Sequence, residues 1–222
     1  MAYVCKDAEF IKAVESGNLH DVNTRALFEL DETHPSWKAA RGAAKIYQFG
    51  HIQYGGGREI YEKMVLAAPD VELTFEQFEQ LTEKYFQTYQ TFGEWRKKTE
   101  HDAVKTRKSY TAFGRVRHLY GHQDSIVRQA YNFPSQGTAA GVMNRVQSQA
   151  LTARTDAGLK AKLQVQIYDD LRWICPDDQI DDLIKVVKPI MEQEFEIFNE
   201  PRSFKVDVEV GKSWGCLQSY DV

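Results

Sequence analysis

Ala40–Gly50, ARGAAKIYQFG, sets Arg41, Lys45 and Phe49 four residues apart, so a helix here carries two cations and an aromatic ring along one face. Cations one turn apart supply the fixed positive charge that a phosphate chain needs, and a ring one turn further on can pack against a sugar or a base. Taken without its neighbours, the same spacing describes an amphipathic helix with a solvated basic edge and one core Phe. The other segments of the chain decide between the two.

The stretch resembles the nucleotide-binding finger helix of family A DNA polymerases. The pattern there is Arg, three residues, Lys, three residues, Phe or Tyr, Gly, and then a Tyr-Gly pair. Arg41, Lys45, Phe49, Gly50 and Tyr54-Gly55 follow it with one departure. The family sets its second aromatic four residues after the first, where this chain has Gln53, and Tyr54 falls one residue late. One residue on a regular helix is a rotation of roughly 100°. Either a π-bulge returns Tyr54 to the site or Gln53 takes its role. The resemblance thus makes Arg41, Lys45, Phe49 and Tyr54 nucleotide-binding residues, with Lys45 also assisting the leaving group.

A second segment, RQAYNFPSQGTAAGVMNRVQ from Arg128, is similar to the family's segment whose Arg, Asn and Gln reach the primer-template duplex and the nascent pair. Here these are Arg128, Asn132 and Gln136, spaced by four on one helical face. Pro134 predicts a helix break near Asn132 and a new helix from about Ser135.

A third segment, LQVQIYDDLRWICP, reads as two β-rich runs around an acidic turn, a hairpin with Asp169 and Asp170 at its tip. In isolation an Asp-Asp turn is ordinary turn chemistry. In family A polymerases the hairpin usually reads His-Asp-Glu. The resemblance then makes Asp169 the essential metal ligand, puts Asp170 in the Glu position on a shorter arm, and puts Tyr168 in place of the His. Carboxylate oxygens suit magnesium, and the family's two-metal phosphoryl transfer places one ion at the primer 3′ hydroxyl and one at the leaving pyrophosphate. Asp169, Asp170 and Lys45 are the catalytic residues on this reading, and Asp169 and Asp170 the metal ligands.

Between these segments TAFGRVRHL resembles the family's strand-turn-strand beside the template-primer, with Gly114 at the turn and Arg115 and Arg117 on one strand face toward phosphates. Lys105, Arg107 and Lys108 add to this basic stretch. The whole chain is acidic, with a net charge of -4, whereas a nucleic-acid binder is usually basic. DNA binding must therefore rest on local charge from Lys105 to Arg128. The acidic stretch from Asp177 to Glu200 should face solvent or a partner.

DAEFIKAVESGNLHDVNTRALFEL near the start and FKVDVEVGKSW near the end extend the resemblance from about Asp7 to Trp214. One part has no counterpart. The family's Asp-Tyr-Ser-x-x-Glu motif, whose Asp bridges both metals and whose Glu excludes the ribose 2′ hydroxyl, is not found, and Met1 begins roughly where it would have ended. Asp169 and Asp170 alone do not make a two-metal cage. The simplest expectation is a split polymerase, inactive as the isolated chain, in which a second chain supplies the first motif, the rest of the palm and the thumb. A truncated or decayed gene, and a non-catalytic remnant that binds DNA or a replisome partner, are the alternatives.

The implied fold class is α+β: a mainly helical fingers subdomain joined to part of an antiparallel-sheet palm. Palm-linking helices are expected over 1–34, fingers helices over 35–104, and remaining fingers and palm over 105–222. Helical signals run from Asp7 to about Leu30 and from Pro35 to the Gly55-Gly56-Gly57 stop. Thr74 and Gln77 predict a capping box, and an amphipathic helix from about Gln179 is expected to be interrupted near Pro189. With 222 residues and 42% hydrophobic composition the chain can bury a sizeable core. Three cysteines without metal-ligand spacing, and no apolar leader, make the cytoplasm the expected location, that of the host if the gene is a phage's. The scattered histidines, His20, His51, His118 and His122, read as structural. The implied partners are primer-template DNA, deoxynucleoside triphosphates, magnesium and the second polymerase chain.

Overall fold

Asp7 shows how the N-terminal helices are tied together. Its carboxylate caps one helix through the Phe10 N–H at 2.9 Å and also accepts from the Phe92 N–H of a helix 85 residues away at 3.1 Å, while only 3% exposed. A buried carboxylate that accepts two backbone donors satisfies orphan N–H groups at two helix starts at once. The computed structural model describes residues 1–53 and 57–220, with the side chains of all of these except 52 and 53.

The chain forms two units, Met1–Ser135 and Gln136–Val222. The first holds α1 (Ala2–Cys5), α2 (Ala8–Glu15), α3 (Leu19–Phe28), α4 (Trp37–Gln53), α5 (Arg58–Ala67), α6 (Phe75–Thr88), α7 (Gln90–Thr106), and the antiparallel pair β1 (Lys108–Tyr110) and β2 (Val116–His118). Next comes α8 (Gln123–Asp156), which begins in the first unit and continues into the second. Then follow β3 (Lys162–Ile167), β4 (Asp170–Ile174), α9 (Ile180–Met191), β5 (Phe195–Ile197), β6 (Glu200–Arg202), β7 (Glu209–Val210) and β8 (Gln218–Ser219). The strands pair as four separate two-stranded sheets, β1-β2, β3-β4, β5-β6 and β7-β8. The fold is α+β and mainly helical, as the sequence implies. Among the described residues no helix is long and apolar enough to cross a membrane.

The core of the first unit is aromatic and centres on α4. Ala43, Ala44 and Tyr47 are fully buried, packed with Phe10, Ile60, Met64, Phe78, Tyr85 and Phe92. The capping box forms: Gln77 N–H donates to Thr74 Oγ1 at 3.2 Å and Thr74 N–H to Gln77 Oε1 at 2.8 Å. It starts α6 so that Phe78 and Tyr85 point into that core. Gly50 lets α5 approach α4, because a Cβ there would lie 2.7 Å from Ile60 Cγ1. His51, one turn after Tyr47, is 1% exposed, with its ring 4.4 Å from Tyr47, 5.4 Å from Phe86 and 5.8 Å from Tyr85. Neither ring nitrogen has a hydrogen-bond partner among the described residues. Burial, helped by the nearby Arg96 cation, pushes its pKa down to about 3, so the imidazole is neutral in the fold.

In the second unit Ala150, Ala161, Leu183 and Val187 form a small core flanked by Trp173, Cys175 and Met191. A two-stranded hairpin is marginal by itself, and this packing supports β3-β4.

Three expectations are corrected. Pro134 does not divide the helix: α8 runs unbroken from Gln123 to Asp156. Ile126, Ala130, Thr138, Val142, Val146 and Ala150, at multiples of four on either side of the proline, are all buried, and burial along that stripe outweighs one lost backbone bond. Likewise α9 passes through Pro189 and stops two residues later. The acidic stretch does not only face solvent: Asp177 pairs with Lys212, Asp181 accepts from the Tyr220 hydroxyl at 2.7 Å, and Glu192 accepts from the Val206 N–H at 3.0 Å. Three of its carboxylates thus hold the C-terminal segment of the same chain.

Two stability measurements follow from this packing. Below its unfolded pKa near 6.5, His51 takes up a proton only in the unfolded chain, so stability falls with pH over the window from about 6.5 toward 3 at roughly 1.4 kcal/mol per pH unit. Urea unfolding at pH 7.5 and pH 5 should show a loss roughly 2 kcal/mol greater in the wild type than in His51→Phe; an identical pH dependence contradicts the buried neutral imidazole. Gly50→Ala should cost roughly 1–3 kcal/mol by driving its methyl into Ile60, and combining it with Ile60→Ala should recover part of that loss in the same assay.

Candidate functional site

Because α4 buries Ala40, Ala43, Ala44, Tyr47 and His51, its other side presents Arg41, Lys45 and Phe49 outward. Phe49 is 40% exposed, unusual for a large ring, with Lys45 Nζ 5.8 Å from its centroid. A cleft of about 320 Å³ opens beside it, lined from α4 by Lys45, Ile46 and Phe49, from α5 by Glu59, Ile60 and Lys63, and from α8 by Arg128. Lys63 pairs with Glu59 at 2.7 Å, and this bond holds the Glu59 carboxyl below its usual range. Lys45 makes no ion pair among the described residues and remains available to an anion.

Arg41 sits on the same side of α4, but its Nε pairs with Asp21 of α3 at 2.5 Å, and it does not line the cleft. Tyr54 and Gly55 lie outside the described residues, as does the side chain of Gln53. His20, read from the sequence as structural, stands 6.1 Å from Phe49, and burial, then the Arg41 and Lys45 cations, lower its pKa. His20, Glu59 and Lys63 were not legible as neighbours of Lys45. They come from other helices, and no local spacing connects them to ARGAAKIYQFG.

Arg128, Asn132 and Gln136 follow one another turn by turn along α8, with Arg128 and Gln136 exposed and Asn132 half-buried. The Gly114 turn, with φ at +75°, closes β1 on β2. Arg115 is exposed there, while Arg117 reaches back to α8, donating to Gln129 Oε1 at 3.3 Å and lying 5.7 Å from the Phe133 ring.

In the second unit β3 and β4 form the acidic hairpin, with Ile167 opposite Asp170 and Tyr168-Asp169 as its two-residue turn. Tyr168 adopts a left-handed φ of +52° and is 89% exposed. Asp169 projects at the tip without a hydrogen bond or ion pair among the described residues. Asp170 begins β4 and pairs with Arg172 at 2.5 Å. The oxygen chemistry of this pair fits a hard divalent cation such as magnesium. Among the described residues no group of three or more metal-ligating side chains forms, so the tip supplies at most part of a donor set.

DNA polymerase I of Chloroflexus aurantiacus is 27% identical over 96% of this chain, and the DNA polymerase of Bacillus phage SP01 is 27% identical over 80% of it. The chain spans 22% and 20% of these two relatives' lengths. Its fold matches that of the polymerase domain of Pol1 from M. smegmatis, solved in complex with DNA primer-template and dNTP, with a TM-score of 0.73 at 22% identity over 86% of this chain and 34% of that one. The sequence model of DNA polymerase family A matches residues 1–216, nearly the whole chain, and this chain belongs to DNA polymerase family A.

Proposed function

We propose that this chain is the fingers and part of the palm of a template-directed DNA polymerase, which adds deoxynucleoside triphosphates to a primer 3′ end, and that a separate chain carries the first Asp motif. The observation that carries this reading is the side of α4 where Lys45, without an ion pair among the described residues, and Phe49, exposed, meet Arg128 in one cleft. The ligands of the solved M. smegmatis relative, primer-template and dNTP, are the partners this chemistry would take. Residues 35–104 would be the fingers helices.

In the reaction a bond forms from the primer 3′ oxygen to the α-phosphorus as the bond to pyrophosphate breaks. Lys45 would hold the triphosphate through charge-assisted hydrogen bonds and stabilise the departing pyrophosphate. Phe49 would pack on the sugar. Arg41 would add phosphate contact once released from Asp21. Arg115, Arg117, Arg128, Asn132 and Gln136 would track the duplex. Asp169 and Asp170 would be oxygen ligands to magnesium, and the ions, when bound, supply Lewis acidity at the attacking and leaving oxygens. Two carboxylates do not fill two such sites, and β3-β4 has no third strand among the described residues. Both features support a palm completed from outside these residues. One observation favours a second reading, a DNA-binding remnant without chemistry: Asp170 is already neutralised by Arg172.

In the complex reconstituted with a chain bearing the missing motif, Asp169→Ala should abolish primer extension while leaving duplex binding within about twofold, read by gel shift; undiminished extension would remove Asp169 from the mechanism. Lys45→Ala should lower kcat/KM for deoxynucleoside triphosphates by roughly ten- to hundredfold, the loss of a charged hydrogen bond. Unchanged nucleotide kinetics would take the finger helix out of substrate binding.

A further inference from the structure

We propose that Arg172 is a positioning residue that holds Asp170 as an internal counter-ion and hands it over when a divalent cation arrives, moving to Glu209 without leaving Trp214. The inference rests on the reading of Asp169 and Asp170 as ligands to such a cation. Residues two apart on a strand share a face, and Asp170 and Arg172 do so on β4, with guanidinium Nη2 2.5 Å from Oδ2. On its other side Nη1 lies 4.0 Å from Glu209 Oε2 of β7, and the guanidinium carbon sits 5.1 Å from the Trp214 ring centroid. Arg172 therefore lies between two carboxylates on an aromatic platform, close to one and just short of the other. Its Nε is buried without a hydrogen-bond partner among the described residues, so the present arrangement leaves a donor unmet there.

A guanidinium and a divalent cation repel one another and compete for the same oxygens. Asp169 has no such competitor among the described residues, whereas Asp170 must exchange one cation for another. Glu209 gives the displaced guanidinium a second anionic partner a short side-chain movement away, and Trp214 keeps the planar group stacked in either position. Arg172 thus sets how readily the hairpin tip accepts metal, and the C-terminal segment bearing Glu209 and Trp214 shares in that control.

The test is Mn2+ binding to this chain in complex with a polypeptide carrying the Asp-Tyr-Ser-x-x-Glu motif, so that the donor set is complete, read by electron paramagnetic resonance of the free ion. Arg172→Gln should bind Mn2+ about fivefold more tightly than wild type, the scale of one partly exposed ion pair. That gain should vanish when Asp170→Asn is also present. Glu209→Gln, which lies off the hairpin, provides an independent arm: without the second partner Arg172 stays on Asp170, and Mn2+ binds about twofold more weakly. Equal affinity of wild type and Arg172→Gln, no measurable binding to either, a gain that survives Asp170→Asn, or tighter binding to Glu209→Gln each overturn the proposal. Asp169→Ala separates the two levels: undiminished Mn2+ binding there rejects the hairpin as the ligand site, whatever Arg172 does.

Discussion

Burial of Ala43, Ala44, Tyr47 and His51 along one side of α4 is the constraint from which the candidate nucleotide site follows. A helix committed to the core on that side has only the opposite side left for Lys45 and Phe49. The aromatic cluster makes the commitment firm, since Tyr47 and His51 each meet rings from α6 and neither can turn outward without opening the core. Gly50 then sets how near α5 can come, and α5 brings Glu59 and Lys63 to the cleft. The charge available to a phosphate is thus a by-product of packing. Arg41 is held by Asp21 and Lys63 by Glu59, which leaves Lys45 and Arg128 as the cations of the cleft without an ion pair among the described residues, Lys45 nearest the exposed ring.

What was legible in the sequence was what local chemistry determines. The four-residue spacing in ARGAAKIYQFG placed Lys45 and Phe49 on one helix face, Thr74 and Gln77 announced their capping box, and Gly114 and the Tyr-Asp-Asp run marked their hairpins. What was not legible depends on partners distant in the chain. The Arg41–Asp21 pair joins two helices, and Arg172 meets Glu209 and Trp214 from the C-terminal segment. Pro134 misled for the same reason: a proline is a local penalty, and the buried stripe through α8 that outweighs it appears only once the chain is folded. The acidic stretch read as facing solvent or a partner because its contacts in the same chain, Lys212, Tyr220 and the Val206 N–H, lie 14 to 39 residues further on.

The second unit states the chemical problem of this chain most plainly. Its hairpin carries two adjacent carboxylates in different conditions, Asp169 at the turn without a partner among the described residues and Asp170 engaged by Arg172. Two oxygen-bearing side chains, one of them neutralised, do not compose the donor set that phosphoryl transfer through two ions requires. Membership of DNA polymerase family A and an incomplete acidic set are compatible if the remaining carboxylates come from outside these residues.

The most direct measurement is primer extension under magnesium by three samples: this chain alone, a polypeptide carrying the Asp-Tyr-Ser-x-x-Glu motif and thumb alone, and the two mixed on a primed template. A shared active site predicts templated extension only in the mixture. Extension by this chain alone, or none in the mixture despite formation of the complex, would contradict it.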